Sequence, residues 1–530
     1  MIIFAILVVS GSLVHPLWGD EAETALFARN ILTYGVPKGW DGVNIMGINN
    51  AVVLDKNLVN HTSPWAQYYI TAVSFALFGQ NSFTARLPFS IISIISLPFL
   101  WYMLRRVTKN PFIATTAVWI AAVSVPFILF SFQDRYYAVT SIAALGVFYC
   151  SWVLLTASSL TLRTTLGFIV SSTIFFYGNY VCFIAFYSAT FVSLWLYGLK
   201  SYPIRRFVLR FLLVSIPVVG LTAPWYVLLK PFESRGTLEL FSAYETVSYL
   251  SVFFRQALAQ FNLNNAFPWI CYPIFIGVIC LLKWKKYPIR PLIPLVLVPL
   301  VFLFIMSAFT LVANVDTSFM HIRYTMLAFP FFCAAMATIV YGLYTIHPSI
   351  AAVFFIVYIS TNIFTLTPFR SFWLDFAGEV MHPYQTPDKV VADYLNEFAN
   401  DGDTAFVNLD RDHEPLIFHL GKKIRFVNRV SLVNTRIFPE NRTVIPRYIY
   451  DFREYPDWII LFSKRGYDGS FYTFDYRSLN PEVKITPQTY TEHVLPVFFS
   501  DVSRPEIELR MFHAPDFVEG DYIYVYHKKK

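Results

Sequence analysis

The chain has 530 residues, 56% of them hydrophobic and only 14% charged, which is more apolar surface than a soluble globule of this size can hide. Mean hydropathy is +0.50, and 53 Phe and 33 Tyr help bring the aromatic share to 18%. Disorder, a secreted disulfide scaffold and a nucleic-acid binder are excluded as whole-chain readings, and the five cysteines lack C-x-x-C or metal-ligand spacing.

The net charge of +7 is unevenly spread. Residues 1–369 carry 10 acids and 21 bases, while residues 370–530 carry 24 acids and 20 bases. Charge density more than doubles at a boundary near Arg370. The pattern predicts a polytopic α-helical membrane domain over 1–369 and a soluble α/β domain over 370–530.

Eleven apolar runs approach the ~20 residues of a bilayer span. They lie at about 1–17, 85–104, 111–131, 137–158, 165–179, 181–199, 207–229, 268–282, 291–312, 325–345 and 349–368. The first could be taken for a signal peptide, but it lacks a basic n-region and an A-x-A site, so it reads as span one. A shorter run at 64–79 has 16 residues, with Gln67, Tyr68 and Tyr69 inside it. Read as a re-entrant or interfacial helix, it leaves a consistent charge sorting. Arg105, Arg106, Lys109, Arg163, Lys200, Arg205, Arg206, Arg210, Lys283, Lys285, Lys286 and Arg290 then fall on the cytoplasmic side. All ten acids fall outside: Asp20, Glu21, Glu23, Asp41, Asp55, Asp134, Glu233, Glu239, Glu245 and Asp316. The expected topology is a multi-pass plasma-membrane protein with its N-terminus in the cytoplasm and its C-terminal domain extracytoplasmic. Within that domain, Pro387–Asn400 reads as a helix, with strands near Thr404–Asn408, Trp458–Phe462 and Asp521–Tyr526.

Four polar features fall on the outer face. Gly19-Asp20-Glu21-Ala22-Glu23 opens a helix-like stretch ending near Gly35 and Pro37. Asp20 suits an N-cap with Glu23 as its capping-box partner, and equally a general base or metal ligand. Asn60-His61-Thr62-Ser63-Pro64-Trp65 leads into the short helix and also matches a glycosylation sequon, as does Asn441-Arg442-Thr443. Gln133-Asp134-Arg135-Tyr136-Tyr137 lies between two spans, and His321-Ile322-Arg323-Tyr324 opens another. Each of these is either an interfacial anchor or an anion site. Asp401-Gly402-Asp403 and Asp410-Arg411-Asp412 look like nucleotide-sugar signatures but sit at expected turns. No GxGxxG, Walker A or HExxH motif occurs.

The stretch PLWGDEAETALFARNILTYG, followed by HTSPWAQYYITAVSFALFGQNSFTARLPFSII, resembles the GT-C superfamily of integral-membrane glycosyltransferases. The nearest branch is family 39-like, with protein O-mannosyltransferases and 4-amino-4-deoxy-L-arabinose transferase-like enzymes. The likeness is densest over residues 14–140 and returns at HIRYTMLAFPFF. Relatives often carry Lys-Pro-Pro or His-Pro-Pro where this chain has His61-Thr62-Ser63-Pro64. The resemblance implies a polyprenyl-phosphate sugar donor, an acidic site in the first outer loop, an interfacial helix after it and inversion at the anomeric carbon. It points to Asp20 and Glu21 as catalytic. Arg135, Tyr136, Arg323, Tyr324 and His61 then bind the donor. No cofactor is required on this reading; a divalent cation (Mg or Mn) on Asp20 and Asp134 is the one the pattern admits.

The chemistry agrees with the physics of the outer face, where no nucleotide-sugar pool exists and a donor must ride on a lipid. The acceptor hydroxyl can belong to a lipid, a glycan or a protein. Membrane lipids are the surrounding partner and nucleic acid is none. A transporter or flippase of lipid-linked or polar substrates is the alternative, and predicts internal repeats and ionisable residues near the bilayer midplane. A receptor-like protein is a second rival, leaving the acids after span one with no role beyond capping.

Overall fold

The computed structural model describes residues 1–46, 54–55, 57–61, 63–199, 202–229, 271–309, 322–363, 372–407, 414–426, 456–462, 489–496, 500–501, 512–513 and 522–529. Arg370, His321, Glu233, Glu239, Glu245, Asp316, the Asp410–Asp412 tripeptide and Asn441 lie outside the described residues. The chain divides into two compact units. One holds Met1–Ser12, Pro64–Gln67 and Arg86–Met381; the other holds Leu13–Ser63, Tyr68–Ala85 and His382–Lys530.

The helices in chain order are α1 (Ile2–Val14), α2 (Gly19–Tyr34), α3 (Ala66–Phe78), α4 (Ser82–Thr108), α5 (Pro111–Ala122), α6 (Val125–Phe132), α7 (Tyr137–Thr156), α8 (Leu162–Gly178), α9 (Tyr180–Gly198) and α10 (Ile204–Leu229). They continue as α11 (Cys271–Trp284), α12 (Leu292–Phe309), α13 (Ile322–Thr325), α14 (Phe329–Tyr344), α15 (Pro348–Ile363), α16 (Phe372–Met381), α17 (Pro387–Phe398) and α18 (Glu414–His419). Each apolar run of the sequence is helical over most of its described residues. Among those residues five helical stretches are long and apolar enough to cross a membrane alone: 82–108, 137–156, 180–198, 204–227 and 323–344. Counting each bent pair as one span makes seven.

Local chemistry explains the boundaries. Asn110 caps α5 by accepting from the backbone N–H groups of Phe112 and Ile113, with Pro111 in the first turn, where its missing N–H costs nothing. Asn179 follows α8 and caps α9, accepting from Cys182 N at 3.0 Å, so one side chain organises the reversal between them. The run read as one span at 111–131 is two helices, α5 and α6, bent by 69°. Pro126 sits in the first turn of α6, where its ring is compatible with a helix start but not with an unbroken helix through it. The helical chain likewise breaks between α1 and α2, over the four residues His15 to Trp18 that include Pro16.

In the first unit, α1 packs closely on α4 and α6. Gly11 leaves room for the Phe132 ring, where a Cβ would come within 2.8 Å. Ser12 and Ser90 share a hydroxyl hydrogen bond of 2.7 Å, and Arg86, 0% exposed, donates to Gly11 O at 3.3 Å with its guanidinium 5.8 Å from the Phe132 ring.

The second unit is built on a five-stranded sheet in the order β2-β1-β3-β7-β4. Its strands are β1 (Thr404–Val407), β2 (Arg425–Phe426), β3 (Trp458–Phe462), β4 (Tyr490–Pro496) and β7 (Tyr522–Lys528), with β5 (Ser500–Asp501) and β6 (Phe512–His513) forming a separate pair. β1 pairs in parallel with β2 and β3, and β7 is antiparallel to β3 and β4. The helix and the three strands read from the sequence are present, β7 beginning and ending slightly later than expected. Thr386 caps α17 by accepting from Lys389 N at 3.2 Å.

The same unit takes in Leu13–Ser63 and Tyr68–Ala85. Asn44 acts as a strand partner in miniature: its Nδ2 donates to Ile424 O at 2.8 Å and its Oδ1 accepts from Phe426 N at 2.9 Å. Arg29 of α2 donates to Phe418 O at 3.0 Å and covers that ring at 5.1 Å, while Phe75 stacks on it from α3. Asn44→Ala strands two buried backbone groups, so thermal unfolding of the purified variant should show a loss of about 1–3 kcal/mol. An unchanged melting temperature would mean that water replaces the clamp without cost.

Candidate functional site

In the second unit, the segment between α1 and α3 holds Asp20, Glu21 and His61. Helix α2 starts at Gly19, with Trp18 as an extended N-cap that makes no side-chain capping bond. The expected capping box is therefore corrected: Asp20 and Glu21 are the second and third helical residues, not cap and neighbour. The reason lies upstream. Burial of Leu17 and Trp18, 0% and 5% exposed, fixes the entry of the chain, and Ala22 N already bonds Trp18 O at 2.9 Å. Both acids lie in the first turn, where the helix dipole favours negative charge. Their environments differ: Glu21 is 0% exposed, whereas Asp20 is half-buried. Helix α2 ends as expected at Gly35, whose φ of 75° is the left-handed conformation a C-cap needs.

His61 is half-buried in extended chain directly after Asn60. Asn60 is 0% exposed, donates to Tyr68 OH at 3.2 Å and accepts from Ser63 N at 3.1 Å. Its carboxamide thus builds the turn that leads into α3, and a side chain so enclosed is no glycan acceptor. Helix α3 has 13 residues, about 20 Å of rise, short of the ~30 Å hydrocarbon core. This agrees with an interfacial segment.

In the first unit, residues from two distant stretches converge. Arg135 and Tyr136 sit in the short link between α6 and α7, and Arg323 and Tyr324 lie in α13. Arg135 lies 5.8 Å from the Tyr136 ring, and Arg323 lies 4.8 Å from the Tyr324 ring and donates to its hydroxyl at 3.0 Å. Tyr136 feels Tyr137, Tyr324, Cys182 and Arg323 at once. Burial of its hydroxyl end, then the neighbouring Tyr137, Tyr324 and Cys182, push its pKa well above the ordinary value, with Arg323 pulling the other way. The phenol is therefore held as an O–H donor. Asp134, in the same link, is 0% exposed. Two guanidinium groups with phenolic donors beside them suit a phosphate, which only accepts.

Sequence reasoning left several polar residues without a role. Gln133 and Arg86, each 0% exposed, were visible only as members of the quoted motifs, and Asn44 as a loop residue. A polar residue inside an otherwise apolar run was the available signal for Gln133 and Arg86; nothing local marked Asn44.

Among the described residues no group of three or more His, Cys, Asp or Glu side chains could hold a metal ion, and Asp20 and Asp134 belong to separate units.

No family model and no curated protein sequence matches the chain. Its fold is similar to two crystal structures of ArnT from Cupriavidus metallidurans. The structure bound to undecaprenyl phosphate aligns at TM-score 0.57 and 12% identity, over 99% of this chain and 96% of that one. The apo structure aligns at TM-score 0.57 and 13% identity, over 90% and 93%. The archaeal oligosaccharyltransferase AglB from Archaeoglobus fulgidus, in complex with an inhibitory peptide and a dolichol-phosphate, gives a TM-score of 0.49 at 10% identity, over 87% of this chain and 68% of that one.

Proposed function

We propose that this chain, a multi-pass membrane protein with the GT-C fold, is a glycosyltransferase that moves a sugar from polyprenyl phosphate to an acceptor hydroxyl on the outer membrane face, with inversion. The observation that carries this reading is the cluster of Arg323, Tyr324 and Tyr136, with Arg135 on the Tyr136 ring. The solved relative that binds undecaprenyl phosphate supports the class of carrier. The family 39-like placing, and a hexose or pentose as the sugar, belong to the same proposal.

On this reading the half-buried Asp20 takes the proton of the acceptor hydroxyl. The freed oxygen attacks the anomeric carbon from the face opposite the phosphate. The bond from that carbon to the phosphate oxygen breaks, and polyprenyl phosphate leaves with the electron pair. Arg135 and Arg323 stabilise the charge that grows on the leaving group, and Tyr136 and Tyr324 donate to it. Glu21, enclosed and next to Asp20 in the sequence, orients the site. The acceptor is a lipid, a glycan or a protein. A transporter or flippase has no observation in its favour comparable to this cluster.

The purified protein, given a panel of polyprenyl-phosphate sugars, should release free polyprenyl phosphate with at least one of them. Silence with every donor and acceptor class would overturn the reading. Orientation has its own test. A cysteine placed at Glu397, exposed on α17, should react with an impermeant maleimide from outside intact cells, once the exposed Cys280 is replaced. Labelling only after lysis would reverse the topology.

A further inference from the structure

Gln133 is the C-cap of α6, one residue before Asp134 and two before Arg135. Its backbone is well occupied, since its carbonyl accepts from Arg135 N at 2.7 Å. Its side chain is not. The residue is 0% exposed, yet neither Oε1 nor Nε2 meets a hydrogen-bonding group among the described residues. Enclosing an amide with both ends unpaired is costly, and a leucine of similar size would avoid the cost altogether. The helix it follows is buried throughout and apolar except for Ser131, and the charged Asp134 and Arg135 come next. A carboxamide at this one point is explained by a partner that arrives with the substrate.

The chemistry of the group selects among partners. A carboxamide offers two donors and one acceptor in a fixed plane, whereas an ionised phosphate offers acceptors alone. A phosphate would pair Nε2 and leave Oε1 orphaned. Adjacent hydroxyls on a ring can do both, one accepting from Nε2 and its neighbour donating to Oε1. Arg135, two residues on, meanwhile keeps the role of a phosphate contact.

We propose that Gln133 is a sugar-recognition residue, binding two neighbouring hydroxyls of the sugar that the enzyme transfers. The inference rests on the glycosyltransferase reading above and adds the feature of the substrate that this turn reads. It makes Gln133 a specificity determinant for a vicinal diol, set beside the charged groups that hold the carrier.

The test compares wild type with Gln133→Leu, and with Gln133→Met as a second apolar replacement of similar length. Substrates are the active polyprenyl-phosphate sugar and its monodeoxy analogues. Both variants should keep or raise the melting temperature, because an unpaired amide has been removed, while kcat/KM on the full sugar falls about 10–100-fold. With either of the two deoxy donors that lack one contacted hydroxyl, the gap between wild type and variant should shrink, while deoxygenation elsewhere on the ring should leave it unchanged. Unchanged kcat/KM on the full sugar would sink the inference alone. So would a lowered melting temperature in both variants with the same loss on every deoxy donor, which would mark Gln133 as structural. A wild type that releases no polyprenyl phosphate from any donor would instead sink the underlying reading, and this inference with it.

Discussion

Asp20→Asn should fold normally and lose about 10²–10⁴-fold in turnover, measured as polyprenyl phosphate released per enzyme. The structure sharpens this expectation. Asp20 is not the cap of α2, so the substitution removes no capping bond. It removes one negative charge from the first turn, worth about 0.3–1 kcal/mol against the helix dipole, which a helix secured at Gly35 and buried along Ala22, Ala25, Leu26 and Phe27 can absorb. Asparagine keeps the shape and can still accept a hydrogen bond, but it cannot take a proton from the acceptor. Stability and activity therefore separate. A folded Asp20→Asn protein with near-normal turnover would end the assignment of Asp20 as base and turn attention to Asp134. The companion change, Glu21→Gln, probes a carboxyl that is enclosed; loss there without loss at Asp20 would exchange the two roles.

The second large effect is expected at Arg323. A charge-assisted hydrogen bond contributes about 1.5–3 kcal/mol, so Arg323→Ala should weaken binding of the donor by roughly 10–150-fold. Binding of polyprenyl phosphate itself, read by titration in detergent, is the direct measurement. Arg323→Lys should recover part of the affinity, since it restores the charge but not the planar fork. Because Arg323 also donates to Tyr324 OH, the control is Tyr324→Phe. If Tyr324→Phe alone reproduces the whole loss, the arginine acts by positioning the phenol. Unaltered donor affinity in a folded Arg323→Ala protein would reduce the residue to an interfacial anchor.

Much of this was legible in the residues because the bilayer is a severe solvent. Apolar runs bounded by basic or polar residues must be helices there, since no other open segment satisfies its own backbone. Hence α1, α4, α7, α9 and α10 follow from composition alone, as do the shortness of α3 and the signal at Gly35. The strands at 404–407 and 458–462 were visible because alternation and β-branched residues act over a few neighbours.

What only the tertiary structure decided depends on residues far apart in the chain. No periodicity reveals that Asn44 pairs with Phe426, that Arg29 caps Phe418, or that residues 13–63 share a compact unit with residues 382–530. The cap of α2 was misread because the start of a helix near buried Leu17 and Trp18 is set by packing, which can override the preference of Asp for the cap. Proximity of Tyr136 to Arg323 is likewise a fact of packing, not of spacing. The same holds for Gln133: a glutamine after an apolar helix is unremarkable in a sequence, and its significance arises only once both ends of the amide are found buried and unmatched. Local grammar is written in neighbours along the chain, but an unsatisfied polar group is defined by what surrounds it in space.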